Sequence, residues 1–322
     1  MDKRKFNLAE FFGKFGIVMI LIALCVFFSL KNPAFMGFTN MINILRQVAI
    51  TGVIAVGMTL VLLTGGIDLS VGSVVGIGTV VCGLMLVAGV PWYAALAVCV
   101  VLGFLIGIFN AFLICQLGLP PLIATLGSMT TLRGVCYLLT NGSPVFGFPG
   151  DILFLGKGSV FGLIPVPVVL MALVFALGIL FLEKTRFGTY IYGIGGNEEA
   201  SRLSGIDTKK IKYLCYGVCS ALSALAGIIL LARVSSGQPK SGSGYEMDVI
   251  TACVLGGVSI SGGEGKLSFV IIGVLMMGVL SNGLIMINVS DYWQQAISGL
   301  VLIAAVAFDR AMQHIKAKRL QE

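Results

Sequence analysis

Apolar residues fall into ten stretches along the chain, at about residues 16–30, 47–64, 69–90, 92–115, 119–139, 163–182, 213–232, 247–261, 267–288 and 293–308. A helix needs about 20 residues to cross a bilayer. Most of the stretches reach that length, while the first and eighth reach it only with flanking residues. The pattern predicts an all-α polytopic membrane protein of about ten transmembrane helices, forming one domain over residues 1–322.

Two glycine-rich interruptions, Thr64–Ser73 (TGGIDLSVGS) and Leu255–Lys266 (LGGVSISGGEGK), each follow an apolar run and precede a glycine-spaced one. Both read as places where a helix breaks and restarts, with Ser, Asp or Gly meeting the freed backbone groups. Their similar placement hints at the internal repeat expected of transporters, although only the Gly-Gly pairs and the flanking hydropathy match. The second interruption superficially resembles a phosphate-binding loop. Ile260 stands where that loop requires glycine and Leu267 where it requires Ser or Thr, so nucleotide binding in this chain is rejected.

Phe187–Lys212 is the longest water-loving stretch and reads as a short capped helix. Asn197 suits the N-cap, and Glu198 and Glu199 follow where the helix dipole favours acids. Gly205 suits the left-handed stop, with Lys209, Lys210 and Lys212 beyond it. A helix of about seven residues is unstable alone. Ala200, Leu203 and Ile206 offer an apolar edge by which it would pack. An ordinary connecting loop is the competing reading.

Composition narrows the class. Hydrophobic residues make up 57% of the chain and charged residues 11%, with mean hydropathy +1.03. A soluble domain is excluded, and the net charge of +7 reports orientation rather than nucleic-acid binding. With a cytoplasmic N-terminus, ten spans put Phe187–Lys212 and the C-terminus on the cytoplasmic side too. That side then carries Lys3, Arg4, Lys5, Lys14, Lys184, Arg186, Arg202, Lys209, Lys210, Lys212, Lys266, Arg310, Lys316, Lys318 and Arg319. Only Lys31, Arg46, Lys157, Arg233 and Lys240 fall outside, and Arg133 lies within a span. No cleavable signal peptide is expected, since Lys31-Asn32-Pro33 follows the first apolar run without a small-x-small site.

Ionisable groups in or near the spans are Asp68, Arg133, Glu246, Asp248 and Asp291. A charge in hydrocarbon costs at least ~3 kcal/mol, so each such group is paired, functional or within reach of head groups. Arg133 fits either snorkelling or a paired role. Asp68 either caps the restarted helix through Ser70 or touches a solute. Asn110, Asn282 and Asn288 either hydrogen-bond across helices or line a polar path. Gly72/Gly76 and Gly103/Gly107 read as helix contacts. The eight cysteines, Cys215 and Cys219 among them, read as free packing thiols. With His314 the sole histidine, no His-based catalysis or metal cluster is expected. No hydrolase or metalloprotease motif occurs, and the sequons at Asn141 and Asn288 are set aside as chance matches.

Several stretches together resemble one family over nearly the whole chain. They are Ala55–Gly72 (AVGMTLVLLTGGIDLSVG), Ile123–Leu126 with Arg133-Gly134, Thr140–Pro144, Tyr192–Asn197 with Leu203–Ile206, Gly244–Asp248, Gly262–Gly265 and Asn282–Leu284. The resemblance is to the permease subunits of bacterial ATP-binding-cassette (ABC) importers for ribose, xylose, galactose and related monosaccharides, with the ribose type nearest.

That resemblance implies a type II importer architecture, like the vitamin B12 importer permeases, in the bacterial inner membrane. The permease would pair with a second permease subunit, identical or paralogous, within membrane lipid. Two cytoplasmic ABC ATPase domains would bind ATP and Mg, and a periplasmic sugar-binding protein would dock above. This chain would hold no cofactor and would not itself be an enzyme. The family's coupling helix falls within the segment 187–212, on Gly196, Asn197, Glu198, Glu199, Ala200, Arg202, Leu203 and Gly205. The mechanism implied is alternating access, in which the partner shifts an equilibrium by preferring one state. By polarity and position, the substrate-path candidates are Asp68, Asn110, Asn141 and Asn282. The rival reading is a secondary sugar transporter driven by an ion gradient.

Overall fold

The computed structural model describes residues 8–319; Lys3, Arg4 and Lys5 of the basic start lie outside the described residues. Each of the ten apolar stretches holds a helix. They are α1 (Leu8–Lys31), α2 (Phe38–Leu63), α3 (Val71–Val87), α4 (Trp92–Cys115), α5 (Pro121–Thr140), α7 (Val166–Lys184), α10 (Thr208–Val234), α11 (Tyr245–Leu255), α12 (Leu267–Met286) and α13 (Asp291–Arg319). The connection from α5 to α7 carries the one-turn α6 (Phe154–Lys157) and a hairpin of β1 (Ser159–Val160) and β2 (Ile164–Pro165). In that hairpin Val160 pairs with Ile164. Between α7 and α10 lie α8 (Arg186–Gly196) and α9 (Glu198–Leu203).

Among the described residues, six helices are long and apolar enough to cross a membrane: α2, α4, α5, α7, α10 and α12. The pattern predicted ten. The largest departure is the eighth stretch, whose helix α11 has 11 residues and ends at Leu255 instead of continuing to residue 261. At a rise of 1.5 Å per residue that is roughly 16 Å, about half the hydrocarbon thickness.

α2 and α10 form the centre. Their apolar windows are 78% and 72% buried, against a third or less for α4, α5 and α7. From Val48 to Leu63, α2 is apolar on nearly every side, as a helix enclosed by others must be. α10 supplies small residues that let its neighbours approach. A Cβ on Gly57 of α2 would stand 2.6 Å from the Cys219 Cα, and one on Gly107 of α4 2.7 Å from the Gly217 Cα. Without hydrophobic force between helices in lipid, such backbone-close packing is what holds a bundle together. The expected contact role of Gly103 and Gly107 is therefore met by α10. Gly72 instead lies against Glu246 of α11 and the Gly242 carbonyl, and Gly76 against Arg133 and Cys136 of α5 and the Ser241 carbonyl.

Both predicted breaks are present, and each opens with the same cap. At the end of α2, Gly65 is left-handed (φ 76°), its N–H donates to the Leu62 carbonyl, and the Gly66 N–H donates to Val61. At the end of α11, Gly257 (φ 82°) donates to Val254, and Val258 donates to Cys253. This paired bonding is the Schellman stop, which needs a residue without a Cβ penalty at the left-handed position. The first glycine of one pair and the second of the other take that position. The Gly-Gly match between the halves is thus out of structural register by one residue.

A further irregular segment holds Lys240, one of the residues expected on the outer side. Residues 235–244 leave α10 and run back along α3, where a Cβ on Gly237 would meet the Thr79 carbonyl at 2.6 Å and one on Gly242 would meet Val75 at 2.7 Å. Neighbouring groups satisfy its backbone. Gly237 exchanges two hydrogen bonds with Val145, and the Thr79 hydroxyl donates to the Gln238 carbonyl at 3.2 Å. Arg133 Nη1 donates to the carbonyls of Pro239 and Ser241 at 2.8 and 2.7 Å. Of the two readings for Arg133, the structure takes the paired one.

Candidate functional site

α8 and α9 sit at the end of the bundle where α2, α7 and α11 finish and α10 begins. α9 is six residues long and bonded at both ends. Asn197 Oδ1 accepts the Ala200 N–H at 2.9 Å. At the other end Gly205 is left-handed (φ 85°), with its N–H on the Arg202 carbonyl and the Ile206 N–H on the Ser201 carbonyl. The N-cap and stop read from Asn197 and Gly205 are therefore both observed.

The packing edge is the expected one only in part, since Ile206 is half-buried against the core while the other two members are not. Leu203 is 80% exposed and Ala200 is exposed, while the buried member of α9 is Ser201. Ser201 lies under the glycines of α8, where a Cβ on Gly193 would stand 3.3 Å from its Oγ. The helix thus turns a small polar residue inward and leaves Ala200 and Leu203 exposed. Ion pairs complete the attachment. Lys212 Nζ donates to Glu198 Oε2 at 2.7 Å, tying α9 to α10, and Arg202 pairs with Glu199 within α9 at 2.7 Å. A groove of about 370 Å³ runs beside α9, lined by Ile114, Cys115, Glu198, Arg202, Lys209 and Lys212 among others. On its rim Asp207 caps α10. The Lys210 amide, and then its ammonium, hold that carboxyl below its ordinary value of 3.8.

The four path candidates fall in three places. Asp68 and Asn110 belong to one buried network, in which Asp68 Oδ1 accepts the Ser70 N–H at 2.9 Å and the Ser70 hydroxyl at 2.6 Å. Asn110 donates to Ser70 Oγ at 2.8 Å and accepts from Ser128 at 2.6 Å. Ser220 of α10 reaches Asp68 Oδ2 at 3.4 Å. Asp68 thus fixes the turn that leads into α3, whose N-cap position is Ser70, and the network joins that turn to α4, α5 and α10. Asn141 ends α5 in a left-handed turn (φ 49°) and is exposed. Asn282 exchanges hydrogen bonds with Asn40, locking α12 to α2.

A different surface gathers hydroxyl and glycine residues. α5 has the lowest hydropathy of the six long helices, 1.4, and only 22% of its window is buried. Thr130, Thr131, Gly127 and Gly134 lie on its exposed side. Beside it a groove of about 540 Å³ opens between α4 and α5, with Ser128 and Thr131 among apolar walls. Polarity counted per residue missed this face, because each threonine hydroxyl is bonded to its own helix and reads as an ordinary helical residue.

Comparison with known proteins gives a consistent family. Residues 40–306 match the branched-chain amino acid transport system / permease component family. The chain is 42% identical over 311 residues to the ribose import permease protein RbsC of Bacillus subtilis, covering 96% of each. It is 41% identical to the Escherichia coli K12 protein of the same name, over 97% of this chain and 98% of that one. The L-arabinose transport system permease protein AraH of E. coli K12 is 38% identical, over 98% and 96%. No solved structure matches. The chain belongs to this family of membrane permeases.

Proposed function

Starting from that membership, we propose that the chain is the permease subunit of an ATP-driven monosaccharide importer, with a ribose-like sugar as substrate. The observation that carries the reading is α9: a helix capped at both ends, held by Ser201 and Lys212, with Leu203 80% exposed. A six-residue helix held this firmly while turning a leucine outward suits a docking site for a partner. The partner is a pair of cytoplasmic ATPase domains, which bind ATP and Mg and close on nucleotide. A second permease subunit and a periplasmic sugar-binding protein complete the assembly, with both termini of this chain cytoplasmic. In this reading the chain makes about ten passes in a type II arrangement, α1, α3, α11 and α13 adding to the six long spans. The sugar moves along the α5 face, past Thr130, Thr131, Gly127 and Gly134.

The relatives' names support a sugar, whereas the family description names branched-chain amino acids. Identities of 38–42% over nearly full length favour the sugar. Proteoliposomes holding the permease, the ATPase and the binding protein test the whole reading. ATP-dependent uptake of labelled ribose, uncompeted by leucine, is the expected result. Uptake on a proton or sodium gradient without ATP would overturn it in favour of a secondary transporter.

A further inference from the structure

The end of α8 lies in backbone contact with both helix breaks. Gly195 is the focus: a Cβ there would overlap the Leu63 carbonyl oxygen of the first break and the Gly263 nitrogen of the second. The breaks also touch each other. The Gly263 N–H donates to the Leu63 carbonyl at 3.0 Å, and a Cβ on Gly262 would stand 2.7 Å from the Gly65 nitrogen. Tyr192, one turn before Gly195, donates its hydroxyl to the Gly265 carbonyl at 2.9 Å. Gly65, Gly195 and Gly263 come from three separate parts of the sequence, and α9 begins three residues after Gly195.

We propose that Gly195 is a positioning residue that joins the α8–α9 segment to both breaks, so that displacement of α9 moves the two breaks as one unit. Interlocked backbones have no side-chain freedom to absorb a displacement. A shift of α8 must therefore carry Leu63 and Gly263 with it or break the hydrogen bond between them. Gly195 is helical, so Ala there carries no backbone penalty; its effect comes from the overlap alone. The next residue supplies the control. Gly196 is helical too, and a Cβ on it meets nothing within 4 Å.

Transmission by ATP rests on the function proposed above, but the joint itself does not, and hydrogen exchange on the purified permease reads it directly. Gly195→Ala is expected to speed exchange about fivefold or more in both 63–66 and 262–265. Gly196→Ala should leave both as in wild type. Should Gly195→Ala fail to fold, Tyr192→Phe removes one hydroxyl only, and is expected to raise exchange in both segments by a smaller factor. A rise confined to one break, or to neither, overturns the proposal. In the assembled transporter, Gly195→Ala should keep ATP hydrolysis and lose sugar uptake; unchanged uptake per ATP also overturns it. If wild type shows no ATP-driven uptake, the importer reading fails and the exchange result still stands.

Discussion

Lys212 and Glu198 lie 14 positions apart, and their ion pair, 2.7 Å long, is the side-chain tie between α9 and the first turns of α10. Lys212 is 17% exposed and Glu198 48%. The pair is only partly shielded, so its worth to stability is modest, about 0.2–1 kcal/mol. Its larger effect is on where α9 points. Glu198→Lys should therefore uncouple ATP hydrolysis from uptake with little loss of folded protein. The exchanged pair, Glu198→Lys with Lys212→Glu, should recover part of the coupling. No recovery in the double variant would refute the tie.

Leu203 gives a sharper test of what α9 touches. Leu203→Asp places a charge on a side chain already 80% exposed, so the unfolding temperature of the isolated permease should not move. ATPase binding should weaken at least about tenfold, as expected for an apolar group of that size buried at an interface. A pull-down or titration with the ATPase reads the difference. Equal binding by wild type and variant would remove α9 from the docking surface.

Arg133 donates to two carbonyls of the segment 235–244, those of Pro239 and Ser241. Arg133→Gln should cost about 1–3 kcal/mol, because the Pro239 and Ser241 carbonyls would be left unpaired in a partly buried setting. Thermal unfolding in detergent measures this, and faster proteolysis within 235–244 localises it. An unchanged unfolding midpoint would restore the snorkelling reading.

Glycines of the bundle should separate into two groups. Gly107→Ala forces a methyl onto the Gly217 backbone and should destabilise by about 1–3 kcal/mol. Gly127→Ala meets nothing within 4 Å on α5 and should be neutral or stabilise by up to about 1 kcal/mol, through helix propensity. Similar effects at both positions would contradict the close approach of α4 to α10.

The α10 cap should respond to acid. Because hydrogen bonds from Lys210 hold the Asp207 carboxyl low in the folded chain, its stabilisation is present above 3.8, and is lost as pH falls further through the folded value. Exchange protection at Thr208–Lys210, corrected for intrinsic rates, should decline in that acid range. Asp207→Asn, which still caps but does not titrate, should abolish the decline.

What could be read from the sequence was local. Asn197, Gly205 and the two breaks were legible because caps and glycine stops depend on residues within a few positions of one another. The bond of Asp68 to Ser70 ahead of α3 was legible for the same reason. The course of 235–244 was not: a run of Ser, Gly, Pro and Lys has loop composition, and its partners Thr79, Arg133 and Val145 lie far back in the chain. The outward turn of Leu203 was hidden by the expectation that apolar residues pack. That rule fails where the inward position of the helix, Ser201, packs closely on Gly193 of its neighbour.

The return of 235–244 along α3 also bears on how the protein is made. The segment has no hydrogen-bond ladder of its own to carry it into a bilayer, and a lipid-exposed backbone of that kind is not tolerated there. Every long-range group that receives it, from Thr79 through Arg133 to Val145, is synthesised earlier. The N-terminal half thus acts as a mould. The second half then meets a first half in which every one of these receiving groups is already present.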